Sequence, residues 1–407
     1  MLRTCTSGMT MVASAVMVIL LSACSTPSPA PSERVLNGTL TFSLNDTTEV
    51  RIPGVWQGDT LVLRNSNETL TLRPSDSLDH TWAIPVFDGR LTLQNDTGFW
   101  QDVLRPGTYR VPVQWQAEPH AESTPAWTED TLSWALTFGA DDPWYGQLFL
   151  QQSGTSCRGS IATATGDFRY LHGSIEGDGT LRLQTFDGAH LFCFSANLGD
   201  DGTLSAGTFW SGSHYATSFS GTPLDAGTTA LEAAPKAEWT GLPVSYAGIA
   251  LDGDSTSWEA SSADHIHVLS VMGSWCPNCM DEHRLLATLM DQHPTLHVHT
   301  LAFERGLDKE GGVQRALDRL VSYSNHMGLD RFGDRWHVVL TGPASKTRAQ
   351  AALPFLDRVV SFPTTIVVDG GGAPWIHSGF NGPAMGPAHD LEVARFAAAI
   401  SGSTESR

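Results

Sequence analysis

Residues 268–280 read VLSVMGSWCPNCM, and this stretch decides the fold of the C-terminal part of the chain. Its apolar start predicts a buried strand, and Cys276 and Cys279 follow where a helix is predicted to begin. A cysteine at a helix N-terminus faces unpaired backbone N–H groups and the positive end of the helix dipole, which favour the thiolate. Two intervening residues bring the second sulfur within reach of the first, and Pro277 suits the first helical turn. The spacing therefore indicates a reactive pair of thiols.

Two other interpretations of the cysteine pair remain open. A structural zinc site needs a second pair of ligands, and no second CxxC pair follows in this part of the chain. A static disulfide would not require a position between a strand and a helix. The sequence predicts no metal site, although imidazoles bind copper and zinc and histidines cluster in this region. They are His265, His267, His283, His293, His297 and His299.

From residue 244 to residue 405, strand-like and helix-like segments alternate, which predicts an α/β domain. The predicted strands are residues 265–272, 295–303, 336–340 and 364–368. The predicted helices are residues 281–291, 313–323 and 391–400, and residues 344–353 are a further regular segment between the last two strands. The Ala/Thr/Pro-rich residues 226–243 are interpreted as an interdomain linker.

Two β-rich segments, residues 36–117 and 127–225, precede this linker. Their apolar and polar residues alternate in short runs broken by Gly, Asn and Asp, as in GDGTLRLQTF at 177–186. This pattern is typical of antiparallel strands joined by tight turns. The sequence therefore predicts an all-β N-terminal region, an antiparallel meander, a sandwich or a partly open barrel, and it does not choose among them.

The first 24 residues resemble an export signal that ends in the lipobox of bacterial lipoproteins. The apolar run at 9–21 is shorter than the roughly 20 residues that a membrane span needs. Cys24 is then the predicted lipidation site, and residues 25–35 form a Pro/Ser-rich tether. An uncleaved membrane anchor is the alternative. The prediction is a protein of the cell envelope, lipid-anchored and facing the periplasm, and Ser25 favours the outer membrane over the inner.

The chain has 24 Lys and Arg residues against 43 Asp and Glu residues, a formal net charge of -19. This balance excludes nucleic acid as a partner, because nothing would neutralise the phosphates. Of the six cysteines, Cys5 and Cys24 fall in the predicted signal. Disulfides persist outside the cytoplasm, so Cys157 and Cys193 are predicted to form a structural disulfide. Two independent buried thiols are the alternative.

Three segments resemble the thioredoxin-like domain of the TlpA/ResA family of extracytoplasmic thiol–disulfide oxidoreductases. They are GSWCPNCMDE at 273–282, SFPTTIVVDG at 361–370 and GFNGPA at 379–384, within about the last two-fifths of the chain. The resemblance implies that Cys276 is the exposed nucleophile, that Cys279 is the buried resolving thiol, and that the two form a reversible disulfide. It also implies a cis peptide bond at Pro363, whereas the sequence alone is compatible with a trans proline at a strand entry.

The resemblance assigns further roles around the dithiol. Glu282 matches the glutamate of the family's CxxCxxE pattern and would relay a proton to the buried thiol, whereas a solvated surface carboxylate is the alternative. Ser270 stands where many thioredoxins have an acidic residue, so Glu282 is the better candidate for this relay. Glu304, after a predicted strand, is expected at the same edge of the sheet. Four residues are expected to contact the substrate: Trp275, Pro277, Phe362 and Thr364.

The sequence therefore predicts an enzyme, a membrane-tethered thiol–disulfide oxidoreductase that reduces disulfides of partner proteins through Cys276 and Cys279. Its partners would be disulfide-containing extracytoplasmic proteins and a membrane redox donor. It would need no cofactor, since the sequence offers no nucleotide-binding loop. Two alternatives remain: a copper-handling protein that uses the dithiol and nearby histidines, or a binding protein whose β-rich region captures a partner.

Overall fold

The computed structural model describes residues 35–75, 77–84, 86–105, 109–118, 126–231, 236–261, 265–369 and 372–402. The predicted signal, the lipidation site Cys24 and the tether up to residue 34 lie outside the described residues, whereas Val35 begins the first strand. Within the described ranges, no helix has the length and apolar character needed to cross a membrane.

Eight strands form a first barrel. They are β1 (Val35–Ser43), β2 (Glu49–Gln57), β3 (Thr60–Asn65), β4 (Glu68–Pro74), β5 (Thr81–Ala83), β6 (Gly89–Gln94), β7 (Thr97–Asp102) and β8 (Arg110–Ala117). Each strand pairs with the next along the chain, and β8 pairs with β1 to close the barrel. The predicted meander is therefore present and closed on itself. The sandwich alternative is wrong for this segment, because a single closed sheet leaves no second layer.

Alternating residues fill the interior of the first barrel. On β1, Leu40 and Phe42 are fully buried, whereas the alternate residues Thr39 and Thr41 are only partly buried. This period of two places one face of each strand inside, as the sequence pattern predicts. Phe186, which is not part of the first barrel, also packs into this interior, with its ring centre 4.6 Å from that of Phe42.

Nine strands form a second sheet. They are β9 (Leu132–Phe138), β10 (Trp144–Ser153), β11 (Ser156–Thr163), β12 (Gly166–Asp167), β13 (Leu171–Ile175), β14 (Thr180–Phe186), β15 (Leu191–Leu198), β16 (Leu204–Ser211) and β17 (Tyr215–Leu224). The order is β10-β9-β17-β16-β15-β14-β13-β11-β12, and pairing of β10 with β11 closes a second barrel. We refer to residues 163–169, the turn around the short β12, as the strap.

The two barrels share one apolar core. Phe186 and Cys193, on the outer face of the second barrel, pack among the interior residues of the first, and the ring of Phe186 lies 5.2 Å from that of Trp100. The fully buried Asn65 accepts a hydrogen bond from Phe186 N at 3.1 Å and donates one to Phe186 O at 2.7 Å. Because a buried amide must be paired, these bonds hold the barrels together along with the packing.

The predicted disulfide between Cys157 and Cys193 is wrong, since both are free thiols. Cys157 lies on β11 and Cys193 on β15, with β13 and β14 between them. Three strand spacings amount to about 14 Å, whereas a disulfide needs Cα atoms about 4.4–6.8 Å apart. The two also face opposite sides of the sheet, one inside the second barrel and one in the core shared with the first. Burial raises the pKa of each thiol to about 11, which is typical of inert structural cysteines.

Denaturation without reductant tests this arrangement. We expect Cys157 and Cys193 each to take up an alkylating reagent, because neither has a sulfur partner within reach. Peptide mass mapping of the alkylated chain identifies the modified residues. Recovery of one cross-linked peptide pair that contains both residues would contradict the separation of the two strands.

The rest of the chain forms a mixed sheet with helices on both faces. Its strands are β18 (Ser245–Ala250), β19 (Ser255–Glu259), β20 (Ile266–Met272), β21 (Leu296–Glu304), β22 (Trp336–Pro343), β23 (Thr364–Val368) and β24 (Trp375–Ser378). Its helices are α1 (Pro277–Gln292), α2 (Gly312–Met327), α3 (Lys346–Ala352) and α4 (Pro387–Ile400), with 3₁₀ turns at Leu329–Arg335 and Pro383–Met385. Each helix and each strand predicted for this part overlaps one of these elements.

The order of the strands places the dithiol at one edge of this sheet. The order is β19-β18-β22-β21-β20-β23-β24, with β20, β21 and β22 parallel to one another. Helices α1, α2 and α4 pack into the core on one face, and α3 packs into the core on the other. The carboxyl ends of the parallel strands meet at one edge, and the turn from β20 into α1 lies there.

Residues 226–243 are more than a free linker. The side chain of Gln147 on β10 donates to Thr228 O at 2.9 Å and accepts from Ala230 N at 3.0 Å. Toward the other end, Ala237 is buried in a core of the mixed sheet. The predicted linker is therefore anchored on both sides, and the barrels and the mixed sheet form one compact unit.

A buried arginine joins the three parts of this unit. Arg169, at the end of the strap, is 3% exposed and donates to Asp281 of α1 from Nε at 2.8 Å and from Nη2 at 3.2 Å. The same guanidinium lies 2.7 Å from Glu68 of the first barrel and 3.7 Å from Asp187 of the second. Burial alone would lower the pKa of Arg169, but these carboxylates hold it well above its ordinary value. The cation is therefore retained and shared by all three parts.

Removal of this cation takes a partner from three carboxylates, although Asp281 keeps its ion pair with Arg284 and Asp187 keeps its contact with His190. Loss of one partner from a comparable buried ion pair costs about 3–5 kcal/mol. We expect Arg169→Met to lower the free energy of unfolding by about that amount, measured by urea denaturation. Arg331→Met is the matched control, because its ion pair with Asp291 is exposed (53% and 59%) and such pairs contribute roughly 0–1 kcal/mol. Equal losses in the two variants would show that Arg169 does not hold the parts together.

Candidate active site

The two cysteines lie where β20 turns into α1. Cys276 is the N-cap residue of α1, and Cys279 lies in its first turn; both are free thiols. Pro277 takes the first helical position, where its missing N–H would have no partner in any case. Cys276 is 6% exposed and Cys279 is fully buried. The accessible sulfur is therefore that of Cys276, although it is far less exposed than the resemblance implies.

The buried thiol is held in its protonated form. Burial raises the pKa of Cys279 well above its ordinary value, and the Cys276 sulfur and the Glu282 carboxylate raise it further. A thiol attacks a disulfide only as the thiolate. Cys279 therefore needs a base to remove its proton before it can act.

Glu282 is fully buried one helical turn after Cys279, so the alternative of a solvated surface charge is wrong. Burial raises the pKa of Glu282 to about 7, against hydrogen bonds from Ser270 and Thr365 that lower it. Ser270 donates to Oε2 at 2.5 Å, and Thr365 donates to Oε1. A carboxyl group that titrates near neutral pH both accepts and returns a proton readily. Glu282 is therefore a buried carboxyl group one helical turn from Cys279 that raises the pKa of this thiol.

A chain of buried hydrogen bonds continues from Glu282 into the core. Ser270 Oγ lies 3.1 Å from His283 Nε2, and His283 Nδ1 lies 2.7 Å from the hydroxyl of Tyr323. Burial lowers the pKa of His283 to about 3, so the imidazole is neutral, with one nitrogen that donates and one that accepts. His283 thus belongs to this chain and not to the predicted histidine cluster. These bonds fix the orientation of the groups around the Glu282 carboxyl.

The pKa of Glu282 makes the stability of the fold depend on pH. A glutamate that titrates near 4.5 when unfolded and near 7 when folded binds its proton more tightly in the folded chain. Its contribution to stability is therefore present below the unfolded pKa and is lost as the pH rises through the folded pKa. Between roughly pH 4 and pH 8, this group should lower the free energy of unfolding of the unchanged chain by about 3 kcal/mol, at about 1.36 kcal/mol per pKa unit. We expect this part of the decrease to be absent in Glu282→Gln.

Denaturation curves at a series of pH values measure this difference. Glu310→Gln, at an exposed position, is the control for the loss of a surface carboxylate. If Glu282→Gln keeps the pH dependence of the unchanged chain, the pKa of Glu282 is the same in the folded and the unfolded chain, and the raised pKa described above is wrong.

Glu304 supports the turn that precedes the cysteines. It is fully buried and accepts from Ser274 N at 2.7 Å and from Ser274 Oγ at 2.8 Å. Arg319 pairs with Glu304 at 3.3 Å and with Asp88 of the first barrel at 3.2 Å. Glu304 therefore lies at the edge of the sheet where its strand position predicted it, and it binds the backbone of the turn.

The first barrel covers the Trp275 side of the dithiol. The indole of Trp275 donates to Phe303 O at 2.9 Å, and Arg305 stacks over its ring at 4.6 Å. Between this indole and the side chains of Phe87 and Leu104 of the first barrel, only about 20 Å³ of free space remains. Trp275 is thus a contact of the barrel, and this side offers little room for a substrate.

The loop before β23 faces the sulfur of Cys276. The Phe362–Pro363 peptide bond is cis, the conformation that the resemblance implies, and Cys276 Sγ lies 3.5 Å from Phe362 O. Phe362 is partly exposed. Thr364 is fully buried, with its hydroxyl bonded inside its own turn, and Pro277 is also buried. The side chains of Thr364 and Pro277 are thus turned away from solvent, whereas Phe362 is partly exposed. Contact of the predicted residues with a substrate stays a prediction.

The strap of the second barrel binds the CxxC motif directly. Asn278, between the two cysteines, donates to Asp167 O at 3.1 Å and to Asp167 Oδ1 at 2.8 Å. The other carboxylate oxygen of Asp167 accepts from Gly382 N at 3.1 Å. Burial, together with the charge of Asp281, raises the pKa of Asp167 to about 7. One carboxyl of the second barrel thus bridges the motif and the glycine-rich segment.

Gly379 lets the strap approach this segment. Its φ of 87° lies in the left-handed region that favours glycine. A Cβ at this position would lie 2.6 Å from the backbone of Thr165, so any side chain would push the strap away. The GFNGPA segment therefore has a contact with the second barrel that sequence analysis did not assign.

A cavity of about 710 Å³ lies between the second barrel and the dithiol turn. Asn278 and Phe362 line it on the side of the dithiol, and His190, whose Nδ1 lies 3.1 Å from Asp187 Oδ2, lines it on the side of the barrel. The barrel also contributes four aromatic side chains to the lining: Trp144, Tyr145, Phe168 and Phe192. The cavity therefore meets the dithiol at Phe362, whose carbonyl contacts Cys276.

Of the remaining histidines of the predicted cluster, His293 is the C-cap residue of α1. The others lie just before β20 or in the first half of β20 and β21, whereas the dithiol follows the other end of β20; they are His265, His267, His297 and His299. His267 Nδ1 lies 3.0 Å from His299 Nε2, and burial lowers the pKa of His267 to about 4 and that of His299 to about 2. Over the described ranges, no three His, Cys, Asp or Glu side chains are placed to hold a metal ion.

No protein-family model and no curated protein matches the chain. Solved structures that resemble part of it include MTB dsbF in mixed oxidised and reduced forms, at 13% identity over 39% of this chain and 93% of that chain, with a TM-score of 0.27. Another is a secreted Mycobacterium tuberculosis disulfide oxidoreductase homologous to E. coli DsbE. It is 14% identical over 38% of this chain and 95% of that chain, with a TM-score of 0.26. A thiol:disulfide interchange protein from Chlorobium tepidum is 15% identical over 39% of this chain and 92% of that chain, with a TM-score of 0.26. Likenesses of this size identify neither a substrate nor a direction of electron flow.

The residues that connect the dithiol to the barrels were not predicted from the sequence. Asp167 and Arg169 lie more than a hundred positions before their partners Asn278 and Asp281, and Tyr323 lies 40 positions after His283. The one local signal was an acid and an arginine close together at 167–169, in a β-rich segment with few charges. Tyr323 had no signal, because an aromatic residue on a helix is ordinarily a core residue.

Proposed function

We propose that the chain is a thiol–disulfide oxidoreductase, that its C-terminal part is thioredoxin-like, and that it works chiefly as a reductant. The observation that carries the proposal is the position of Cys276 at the N-terminus of α1, 3.5 Å from the carbonyl of Phe362, with Cys279 fully buried in the following turn. One sulfur is thus accessible to a substrate and the other is reserved for the second step. The buried Glu282, with a pKa of about 7, is the base for that step.

The proposed reaction exchanges one disulfide for another. The thiolate of Cys276 attacks one sulfur of a substrate disulfide, forms a mixed disulfide, and releases the other substrate sulfur, which takes up a proton. Cys279 gives its proton to Glu282 and attacks Cys276 Sγ. A disulfide between the two cysteines forms, and the second substrate sulfur leaves and is protonated. Two electrons and two protons have then passed to the substrate, and a second redox protein must return them.

We also propose that Cys24 is lipidated and that the chain faces the periplasm from the outer membrane. The support is the lipobox and the Pro/Ser-rich residues 25–35 in the sequence. Protein disulfides persist outside the cytoplasm, so substrates for the dithiol are present there. The partners are then disulfide-containing envelope proteins and a membrane redox donor.

The two alternative functions have less support. The histidines that would assist copper handling lie along β20 and β21 before the dithiol turn, and His267 and His299 bond to each other. Binding by the β-rich region is part of the present proposal, because the second barrel lines the cavity beside Asn278 and Phe362.

A trapping experiment tests the proposed function. Cys279→Ser removes the sulfur that resolves the mixed disulfide, so we expect covalent adducts of Cys276 with disulfide-containing proteins to accumulate and to disappear on reduction. Gel analysis with and without reductant, followed by mass spectrometry, measures them. Cys276→Ser is the matched control and should trap nothing, because Cys279 is fully buried. Absence of adducts from Cys279→Ser, with Cys276 shown to be reduced, would refute the proposal.

A further inference from the structure

We propose that the cavity of about 710 Å³ is the substrate site of the dithiol, and that it takes an extended, uncharged or basic peptide segment with an aromatic side chain next to the reacting cysteine. This inference rests on the proposed function, because it names the substrate class of the same cysteines. It assigns substrate selection to the second barrel.

The structure limits how a substrate approaches Cys276. The first barrel leaves only about 20 Å³ of space beside Trp275, and Cys276 itself is 6% exposed. The cavity, by contrast, includes Asn278 and Phe362 in its lining. A convex protein surface would collide with the barrels before it reached the sulfur, whereas an extended segment fits a cavity of this volume. Volumes of about 300–1,000 Å³ are typical of sites that enclose a small ligand.

The wall of the cavity favours an aromatic group. Trp144 is stacked on Phe138 at a ring distance of 3.8 Å, and Phe192 is stacked on His190 at 5.0 Å, so these rings are held in place by the barrel. Tyr145 is 43% exposed and so retains much of its surface for a ligand. Aromatic rings attract another ring by offset and edge-to-face contact, beyond the burial of area. A phenylalanine, tyrosine or tryptophan beside the substrate cysteine therefore complements this wall.

The charges around the cavity disfavour an anionic substrate. Among the described residues that line the cavity, the permanently charged cation is Arg169. Its guanidinium is already paired with three carboxyl groups, those of Asp281, Glu68 and Asp187. Asp167 and Asp187 add two carboxyl groups to the lining. Like charges brought together at a binding site are repelled. Glutathione disulfide, which carries several carboxylates, is therefore a poorer fit than a peptide without acidic residues.

Two symmetrical peptide disulfides test the proposal. One is the dimer of acetyl-Ala-Phe-Cys-Ala-amide, and the other is the dimer of acetyl-Ala-Ser-Cys-Ala-amide. The full chain is reduced beforehand, mixed with each peptide or with glutathione disulfide, and quenched with acid. Chromatography of the released thiol gives a second-order rate constant for each substrate in a single turnover.

We expect the phenylalanine peptide to react about tenfold faster than the serine peptide, which corresponds to about 1.4 kcal/mol, and faster than glutathione disulfide. Tyr145→Ala should lower this preference by about threefold, since one ring of the wall is lost. Ala164→Trp, which fills the cavity from its lining, should lower the rate with the phenylalanine peptide about tenfold or more. Tyr215→Ala is the matched control, because Tyr215 is similarly exposed (46%) on β17 of the same barrel, and it should change neither the rates nor the preference.

The outcomes separate this inference from the proposed function. Equal rates with the two peptides, or faster reduction of glutathione disulfide, would overturn the inference and leave the oxidoreductase proposal in place. So would a preference that survives both Tyr145→Ala and Ala164→Trp in chains shown to be folded by circular dichroism. If the reduced chain reacts with no disulfide at all, the proposed function fails, and the inference fails with it.

Discussion

The guanidinium of Arg169 is the interaction on which the arrangement of the barrels, helix α1 and the dithiol depends. It is one buried cation shared by Glu68, Asp187 and Asp281, each from a different part of the compact unit. A buried charge without a partner is costly, so separation of any part is opposed by desolvated charges as well as by lost contacts. The strap that carries Arg169 is thereby kept against Asn278, and the CxxC turn and the second barrel form one site.

Two carboxyl groups that titrate near neutral pH flank this turn. Glu282 lies on the core side and Asp167 on the side of the barrel, and burial raises the pKa of each to about 7. Glu282 lies one helical turn after Cys279 and raises the pKa of this thiol. Asp167 accepts hydrogen bonds from Asn278 and Gly382, and a carboxylate accepts such bonds more strongly than a neutral acid does. The charge of Glu282 and the hydrogen bonds that Asp167 accepts are therefore expected to change over the same range of pH.

The sequence predicted the parts of the site that are contiguous. The strand, the two cysteines and the helix after them follow one another within residues 266–292, so local periodicity and helix-end chemistry were enough. The alternation in the N-terminal half predicted antiparallel strands but not their closure, because closure depends on pairing between β1 and β8 and between β10 and β11. The same limit explains the error at Cys157 and Cys193: spacing along the chain does not show which side of a sheet a residue faces. Asp167 and Arg169 were missed because their partners come from a different part of the fold.

The order of these residues along the chain has a consequence for biosynthesis. Glu68, Arg169 and Asp187 all precede Asp281, which follows Arg169 by 112 positions. Proteins are synthesised N-terminus first, and early segments begin to fold before later ones emerge. Two of the three acidic partners of Arg169 are therefore present before α1 is made. The two barrels that flank the dithiol turn are therefore complete in sequence before Cys276 and Cys279 are added to the chain.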